Sequence, residues 1–270
     1  MDKKKNEDFE PISEEELIEL VLEEQKKALE KAREERLSGV KEPKKRPKRI
    51  RLFAWMMAAM LAFSTFAVIF EIYSIPAIEF LKASSQLSSQ ENIQQYKQAV
   101  VEIKTNDGKG TGFSISQDGY IVTNHHVIED ALTLTVIFPD AESLFKGKVV
   151  ETYPEIDLAI VKIDAEHLPY LPLAESYTPT ENEEIYFIGN PLYFTGIANK
   201  GNVIDYTLLE DWDEEVLMIK APVYRGNSGS PVINKNGSVI GVVFATLEHE
   251  THGRVGLFVP VDLLQEKLKK

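Results

Sequence analysis

A run of 19 residues without a charged side chain, LFAWMMAAMLAFSTFAVIF at positions 52–70, constrains the fold of this chain most strongly. At about 1.5 Å per residue, a helix of this length crosses a hydrocarbon core about 30 Å thick. The segment KKRPKRIR at 44–51 precedes the run and carries six positive charges, and Glu71 follows it. We therefore predict a transmembrane helix over 52–71 that enters the lipid bilayer, with the N-terminus in the cytoplasm, because basic flanks stay on that side.

The apolar run has two other interpretations. A cleaved signal peptide would need a charged region of about 50 residues in front of its apolar segment, which is longer than such peptides have. A buried core helix of a soluble cytoplasmic enzyme would leave the basic cluster on one side unexplained. We expect a retained anchor in a single-pass protein of the cell membrane, with everything after it extracytoplasmic.

Residues 1–51 are strongly charged, and we predict a cytoplasmic segment that is partly helical. Positions 13–37 are rich in good helix formers, and Ser13 with Glu16 three residues later forms the pattern of a capping box. An apolar stripe follows one face of this helix, formed by Leu17, Leu20 and Val21. Two interpretations stay open, a solvated helix without chemistry and a helix that docks on a cytoplasmic partner.

The chain after the anchor divides into two parts by composition. Residues 72–95 are polar and rich in Ser and Gln, and we predict a linker without strong periodicity that holds the next domain off the membrane. Residues 96–270 contain about a dozen short β-rich runs separated by turn signals such as Asp118-Gly119 and Asn236-Gly237. This spacing predicts an all-β sandwich or pair of barrels, with a helix only in the tail VDLLQEKLKK.

Composition excludes several classes of function. The net charge is −13, and the residues after position 51 carry 15 Lys and Arg against 29 Asp and Glu, so nucleic acid is not expected as a partner. The absence of cysteine removes disulfides, cysteine-ligated zinc and cysteine nucleophiles. His249 and His252 could bind a metal with Glu248 or Glu250, but we interpret this segment as a solvated loop and expect no metal and no cofactor.

Three segments contain the residues of a candidate catalytic site: GTGFSISQDGYIVTNHHVIEDA at 110–131, EIDLAIVKI at 155–163 and YRGNSGSPV at 224–232. In the third segment, Ser228 stands in a loop of small residues, which suits a serine nucleophile on a tight turn. The backbone N–H groups of Gly226 and Ser228, with Asn227 as a further candidate, would then form an oxyanion hole. A plain β-turn is the alternative interpretation of this loop.

A serine nucleophile needs a base, and the base needs an acid that fixes its tautomer. His125 and His126 end a strand-like run, and only one of them can face a cleft if neighbouring side chains point to opposite faces. Spacing alone does not decide between them. Asp157 precedes an apolar strand, where a carboxylate is unusual without a partner, although a strand-capping role is the alternative. The chain order His, Asp, Ser is that of the chymotrypsin arrangement.

These motifs resemble those of the HtrA/Deg proteases, which are trypsin-like serine proteases. TNHHV, DLAIVKI and GNSGSP are similar to that family's segments around the catalytic residues, and the similarity covers residues 97–265. The resemblance implies a chymotrypsin-like fold of two six-stranded β-barrels. It also implies that His126 is the base, Asp157 the acid and Ser228 the nucleophile, with no catalytic role for His125.

The resemblance further implies a serine endopeptidase that hydrolyses protein or peptide substrates without a cofactor, and a homo-oligomer, since trimers are common in that family. Three features depart from the family's pattern. Ser230 replaces the second Gly of GNSGG, Arg225 stands where Pro is frequent, and the chain ends at Lys270 without the usual PDZ domain. The alternative function is therefore a catalytically weak or inactive membrane-tethered scaffold that keeps the protease fold.

The primary specificity pocket is expected around Pro222, Val223 and the segment 243–246. No Asp lies at the expected base of this pocket, so a preference for Arg or Lys is not supported. We predict a small or medium apolar side chain at the cleaved position.

Overall fold

The computed structural model describes residues 13–39, 48–69, 75–139, 144–180, 182–192, 194–210 and 212–269. The chain divides into two compact units, Met1–Val68 and Ile69–Lys270. The first unit contains helix α1 (Glu14–Gly39) and nearly all of helix α2 (Lys48–Ile69).

Helix α1 begins with the predicted capping box. The Ser13 N–H donates to a Glu16 carboxylate oxygen, and the Glu16 N–H donates to Ser13 Oγ, both at 3.3 Å. Three glutamates in the first turn face the positive end of the helix dipole. Leu17, Leu20 and Val21 are each about half exposed. A solvated helix and a docking helix therefore both remain compatible with this stripe.

Helix α2 is long and apolar enough to cross a membrane. The stretch Lys48–Phe66 has a mean hydropathy of 1.2 and none of it is buried. Large apolar side chains, including Trp55 and Phe63, are exposed on it. A core helix of a soluble protein would bury such side chains, so α2 does not fit that alternative.

The second unit begins with two helices, α3 (Ile75–Leu87) and α4 (Glu91–Gln98), in the segment predicted as a linker. Leu87 is 8% exposed and Ile93 is fully buried. Ser84 is also buried, and its Oγ accepts the Ala198 N–H at 3.0 Å. The predicted linker therefore contains two helices that pack on the domain that follows. The few buried apolar residues are separated by Ser and Gln, and this leaves almost no periodic signal in the sequence.

The first sheet has seven strands: β1 (Val100–Thr105), β2 (Lys109–Ser114), β3 (Tyr120–Thr123), β4 (Leu134–Ile137), β5 (Leu144–Lys146), β6 (Lys148–Tyr153) and β7 (Leu158–Lys162). Their order is β5-β4-β1-β2-β3-β7-β6, with antiparallel neighbours. Only Gly147 separates β5 from β6, so the two edge strands are one bent segment that pairs first with β4 and then with β7. This bend joins the two edges of the sheet and accounts for the difference from the six strands expected.

The second sheet is a closed six-stranded barrel in the order β10-β13-β12-β11-β8-β9. Its strands are β8 (Glu184–Gly189), β9 (Ile197–Thr207), β10 (Val216–Lys220), β11 (Pro231–Ile233), β12 (Val239–His249) and β13 (Gly253–Pro260). Helix α6 (Val261–Leu268) follows it, as predicted for the tail, and a single turn, α5 (His125–Ile128), follows β3. The all-β, chymotrypsin-like fold class is confirmed.

Three apolar clusters fill this unit. One lies within each barrel, and the third joins them through residues such as Phe113 and Ile160 of the first and Ile188 and Met218 of the second. The same third cluster includes Leu87 and Ile93 of the two preceding helices. The barrels and these helices therefore share one core. Because this core is close-packed, it can hold the loops of the two barrels in fixed positions relative to each other.

Candidate active site

His126 and Asp157 lie together because they flank neighbouring strands. Strands β3 and β7 are antiparallel, with Thr123 opposite Ala159, so the end of β3 and the start of β7 adjoin. His126 Nδ1 is 2.7 Å from Asp157 Oδ2, and the His126 backbone N–H donates to Asp157 Oδ1 at 2.9 Å. Both carboxylate oxygens of Asp157 are thus bonded to the same histidine.

The backbone around Asp157 is held in an uncommon conformation. Asp157 has φ 49° and ψ 41°, in the left-handed region, and ends the short 3₁₀ turn Pro154–Ile156. Asp tolerates this region better than most residues. Its carbonyl oxygen accepts the His125 N–H at 3.1 Å and the Asn124 side-chain amide at 2.8 Å. Such strain persists only where surrounding contacts fix it, which is common at functional sites.

The structure separates the two adjacent histidines. Both belong to the turn α5 and not to a strand, so the expectation of alternating faces is wrong for them. His126 faces the Asp157 carboxylate, whereas His125 gives Asp157 only its backbone N–H. Of the two histidines, it is thus His126, favoured in the sequence only by resemblance, whose ring contacts Asp157.

The loop that contains Ser228 begins with a type II turn. The Asn227 N–H donates to the Tyr224 carbonyl at 3.0 Å, and Gly226, the third residue of this turn, has φ 97°. A type II turn requires positive φ at that position, which glycine adopts without strain. The Leu192 N–H donates to the Arg225 carbonyl at 2.9 Å, and this hydrogen bond fixes the direction of the Arg225–Gly226 peptide.

Thr111 of β2 ties this loop to the first barrel. Its hydroxyl donates to the Gly226 carbonyl at 2.7 Å, and its N–H donates to the Ser228 carbonyl at 2.9 Å. It also accepts the Asn190 N–H at 2.9 Å, so one side chain links both barrels. Sequence reasoning missed Thr111, although the GTGF segment that contains it was singled out.

Two of the three predicted oxyanion donors are free. Within the described part of the chain, the N–H groups of Gly226 and Ser228 donate to no protein acceptor. The Arg225 carbonyl points to Leu192, and in a trans peptide the Gly226 N–H points the opposite way. The prediction that Asn227 also supplies a donor is wrong, because its N–H closes the turn and its side chain is buried.

Ser228 and His126 line one cavity of about 220 Å³, together with Arg225, Gly226 and Lys109. In the structure, Ser228 Oγ donates to the Phe244 carbonyl at 3.3 Å. Rotation about χ1 of Ser228 would redirect this hydroxyl, and catalytic hydrogen bonds are often long or misaligned before substrate binds. The cavity therefore contains a serine hydroxyl, a carboxylate-bound imidazole and free backbone donors.

Residues 110–242 match the family described as trypsin-like peptidase domain. The match covers just under half of the chain. A probable periplasmic DegP-like serine endoprotease of Chlamydia trachomatis is 36% identical over 169 residues, which are 59% of this chain and 32% of that protein. The chain spans about a third of the length of the curated relatives it matches.

Solved structures of serine proteases are also similar to this chain. A serine endoprotease from Yersinia pestis is 27% identical with a TM-score of 0.57, over 66% of this chain and 64% of that chain. The inactive form of a mutant of Rv3671c from M. tuberculosis H37Rv is also 27% identical, with a TM-score of 0.58 over 68% of this chain and 91% of that chain.

A second cavity of the two-barrel unit, about 240 Å³, lies where the specificity pocket was expected. Its lining residues are Ala221, Pro222, Val223, Tyr224, Thr246, Arg254 and Val255. The predicted Pro222, Val223 and Thr246 are present, whereas Val243 is buried in the core of the second barrel. Arg254 was missed, because only the β12–β13 register, which places it opposite Glu248, brings it to this pocket.

Two buried polar side chains of the peptidase domain stand beneath the Ser228 loop. Ser230 Oγ and both amide atoms of Asn227 are buried without a hydrogen-bond partner in the described residues. A Cβ atom on Gly189 would overlap both Ser230 Oγ and Asn227 Oδ1, so the two side chains lie against the same glycine. Ser230 therefore points into the domain and not into the cavity of Ser228.

His249 and His252 lie in the hairpin between β12 and β13, with ring centroids 4.9 Å apart. His249 Nδ1 accepts the N–H groups of Thr251 and His252 at 3.2 and 3.4 Å. In the described ranges, no group of three or more His, Asp or Glu side chains is placed to hold a metal ion.

Proposed function

We propose that this chain is a serine endopeptidase in which His126, Asp157 and Ser228 are base, acid and nucleophile. The observation that carries the proposal is the pair of hydrogen bonds from His126 to both oxygens of Asp157, beside the cavity that Ser228 shares. The backbone N–H donates to Oδ1 and the ring nitrogen lies at Oδ2, so Asp157 fixes both the position and the tautomer of His126.

In the proposed mechanism, His126 Nε2 takes the proton of Ser228 Oγ as this oxygen attacks a peptide carbonyl. Asp157 stabilises the imidazolium that forms. The free N–H groups of Gly226 and Ser228 receive the oxyanion of the tetrahedral intermediate. His126 then returns the proton to the leaving amine, and water, activated by the same base, hydrolyses the acyl-enzyme.

The specificity pocket supports a small or medium apolar side chain at the cleaved position. Its walls include Ala221, Val223 and Val255, and no acidic residue among those that the structure describes lines it. Arg254 adds a positive charge at this site, which disfavours Lys and Arg in the substrate. Cleavage-site profiling on an unfolded protein should therefore give few cuts after basic residues.

We further propose that α2 anchors the protease in a membrane with the peptidase domain on the extracytoplasmic side. The length and exposure of α2, the basic residues before it and the periplasmic assignment of the DegP-like relatives support this. The proposed substrates are unfolded or extracytoplasmic proteins. The oligomeric state, a trimer in the resembled family, stays a prediction for size measurement in detergent.

The alternative of an inactive scaffold was suggested by Ser230 and Arg225. Ser230 leaves the candidate cavity unobstructed because its side chain is buried against Gly189. Arg225 is exposed, and its carbonyl supports the turn that leaves the Gly226 N–H free. The enzyme is therefore the function we favour.

Labelling of the detergent-solubilised full chain with a fluorophosphonate probe tests the proposal. We expect the wild type to be labelled, Ser228→Ala to remain unlabelled and His126→Ala to react at least a hundredfold more slowly. His125→Ala is the matched control, since its side chain has no assigned role, and it should react within about threefold of wild type. Labelling of Ser228→Ala, or equal rates for the two histidine variants, would refute the assignment.

A further inference from the structure

Helix α3 touches the turn that carries the proposed oxyanion donors. The rings of Phe80 and Tyr224 meet edge to face, with centroids 4.9 Å apart and an interplanar angle of 79°. Tyr224 is the first residue of the type II turn, and its carbonyl accepts the Asn227 N–H that closes the turn. A side chain from outside the barrels therefore packs on the residue from which this turn starts.

The C-terminal half of α3 is fixed to the second barrel. Ser84 accepts the buried Ala198 N–H, and Leu87 is part of the cluster that joins the barrels. These contacts hold the helix against β9 about one and two turns after Phe80. The position of the Phe80 ring is therefore set by how α3 lies on the barrel.

Packing beside this aromatic contact is sparse. A cavity of about 280 Å³ lies next to it, lined by α3 residues including Phe80 and Ala83 and, across from them, by Asn199, Lys200 and Pro222. Open space therefore borders the Phe80 side of the contact. The remaining supports of the turn come from elsewhere, from Thr111 and from the N–H of Leu192.

A type I turn over the same four residues would abolish the oxyanion donor. Rotation of the Arg225–Gly226 peptide converts a type II turn into type I, which reverses the Gly226 N–H. Glycine accepts the negative φ of type I as readily as the positive φ of type II. The relative stability of the type I and type II turns therefore depends on the side chains that pack around the turn.

We propose that Phe80 is a positioning residue for the oxyanion hole and that α3 acts on catalysis through Tyr224. This inference rests on the proposed protease function.

The test compares kcat, KM and fluorophosphonate labelling rates for variants of the full chain in detergent. Edge-to-face pairs contribute about 0.5–1.5 kcal/mol, which corresponds to about a two- to twelvefold change. Phe80→Ala should lower kcat by this factor with KM nearly unchanged. Phe80→Tyr, which keeps the ring, should retain most of kcat.

Phe145→Ala is the matched control. Phe145 also forms an edge-to-face pair, with Phe138 at 6.0 Å, and both residues pack in the apolar cluster within the first barrel. It should lower the melting temperature as much as Phe80→Ala does and leave kcat unchanged. If both variants lower kcat alike, Phe80 is only structural and the inference is wrong.

A double-mutant cycle tests whether Phe80 affects kcat through Tyr224. Because Phe80 is proposed to act through Tyr224, the variant Phe80→Ala/Tyr224→Ala should be no slower than Tyr224→Ala alone. Additive losses would overturn the inference. A wild-type chain that neither cleaves peptides nor takes the probe would refute the proposed function itself, whereas an active wild type with an equally active Phe80→Ala would refute only the role of α3.

Discussion

Asp157 has a left-handed backbone conformation, and both oxygens of its carboxylate contact His126. Asp157→Asn separates these two features. Asn tolerates the same backbone conformation and can still accept the His126 N–H, but its amide group favours the wrong imidazole tautomer. We expect kcat to fall about 10⁴-fold, with the melting temperature nearly unchanged.

The measurement is peptide hydrolysis beside thermal melting followed by near-ultraviolet circular dichroism. Asp157→Ala serves as the comparison, since it loses the carboxylate and also strains the backbone. It should lower both activity and melting temperature. A loss of less than tenfold in Asp157→Asn would contradict a catalytic role for this carboxylate.

The site residues could be predicted from the sequence because nucleophilic catalysis needs few residue types in a set order. The details that depend on backbone direction could not. The Asn227 N–H closes the turn by donating to the Tyr224 carbonyl, which depends on the backbone conformation of Gly226. Thr111 holds the Ser228 loop against the first barrel through a hydrogen bond between segments far apart in the chain. Arg254 reaches the specificity pocket only through strand register.

At the scale of elements, the bend between β5 and β6 depends on Gly147. Its N–H donates to the Leu134 carbonyl at 2.9 Å, and a Cβ would lie 2.8 Å from Leu134 Cδ2 and 2.9 Å from Val161 Cγ1. Gly147→Ala should therefore lower the free energy of unfolding by about 1–3 kcal/mol through overpacking. Denaturant titration measures this.

Gly108→Ala is the control for this bend, because a Cβ there meets nothing within 4 Å. It should change the free energy of unfolding by no more than about 0.5 kcal/mol. If the two alanine variants are equally stable, the bend tolerates a side chain, and the proposed need for glycine at the closure of the first barrel is wrong.

The segment before β8 provides a test in alkaline solution. Tyr177 donates to Glu183 Oε2 at 2.8 Å, and burial first, with Glu183 second, raises the pKa of Tyr177 far above its ordinary value of 10.0. Above about pH 10 the unfolded chain releases this proton while the folded chain keeps it. This tyrosine's contribution to stability is therefore complete below pH 10 and is lost as the pH rises further.

Tyr177→Phe should accordingly lose less stability than wild type between pH 9 and about pH 11.5, although it starts lower because the bond to Glu183 is gone. The measurement is the free energy of unfolding against pH. Tyr170→Phe, at an exposed side chain, is the control and should follow wild type. Parallel curves for wild type and Tyr177→Phe would contradict the raised pKa.

Elements were predictable where the hydrophobic pattern was dense. The strands of the two barrels carry alternating or continuous apolar runs, and the turn dipeptides between them punctuate the sequence. Helices α3 and α4 were missed because their attachment relies on Leu87, Ile93 and the hydroxyl of Ser84 within a polar segment. A serine that accepts a buried N–H carries no recognisable pattern along the sequence.

For the whole molecule, the charge distribution and the two-barrel domain lead to one expected arrangement. The basic cluster at 44–51 lies before α2, and the peptidase domain follows it. Because cytoplasmic flanks retain Lys and Arg, residues 1–51 and the peptidase domain should lie on opposite sides of the membrane. This expectation concerns topology only and is independent of catalysis.

The lack of cysteine makes this topology directly measurable, because a single introduced thiol is the only labelling site. Glu175→Cys reports on the peptidase domain and Ser38→Cys on the N-terminal segment, and both positions are exposed. The label is a membrane-impermeant maleimide, applied to cells whose outer barrier is permeabilised and whose inner membrane is intact. Under these conditions it should react with the Glu175→Cys variant. The Ser38→Cys variant should react only after the inner membrane is lysed. The reverse labelling pattern would show the opposite orientation in the membrane. Protection of both cysteines from the maleimide would place the whole chain in the cytoplasm. Loss of the segment that contains Ser38→Cys from the mature protein would identify a cleaved signal peptide.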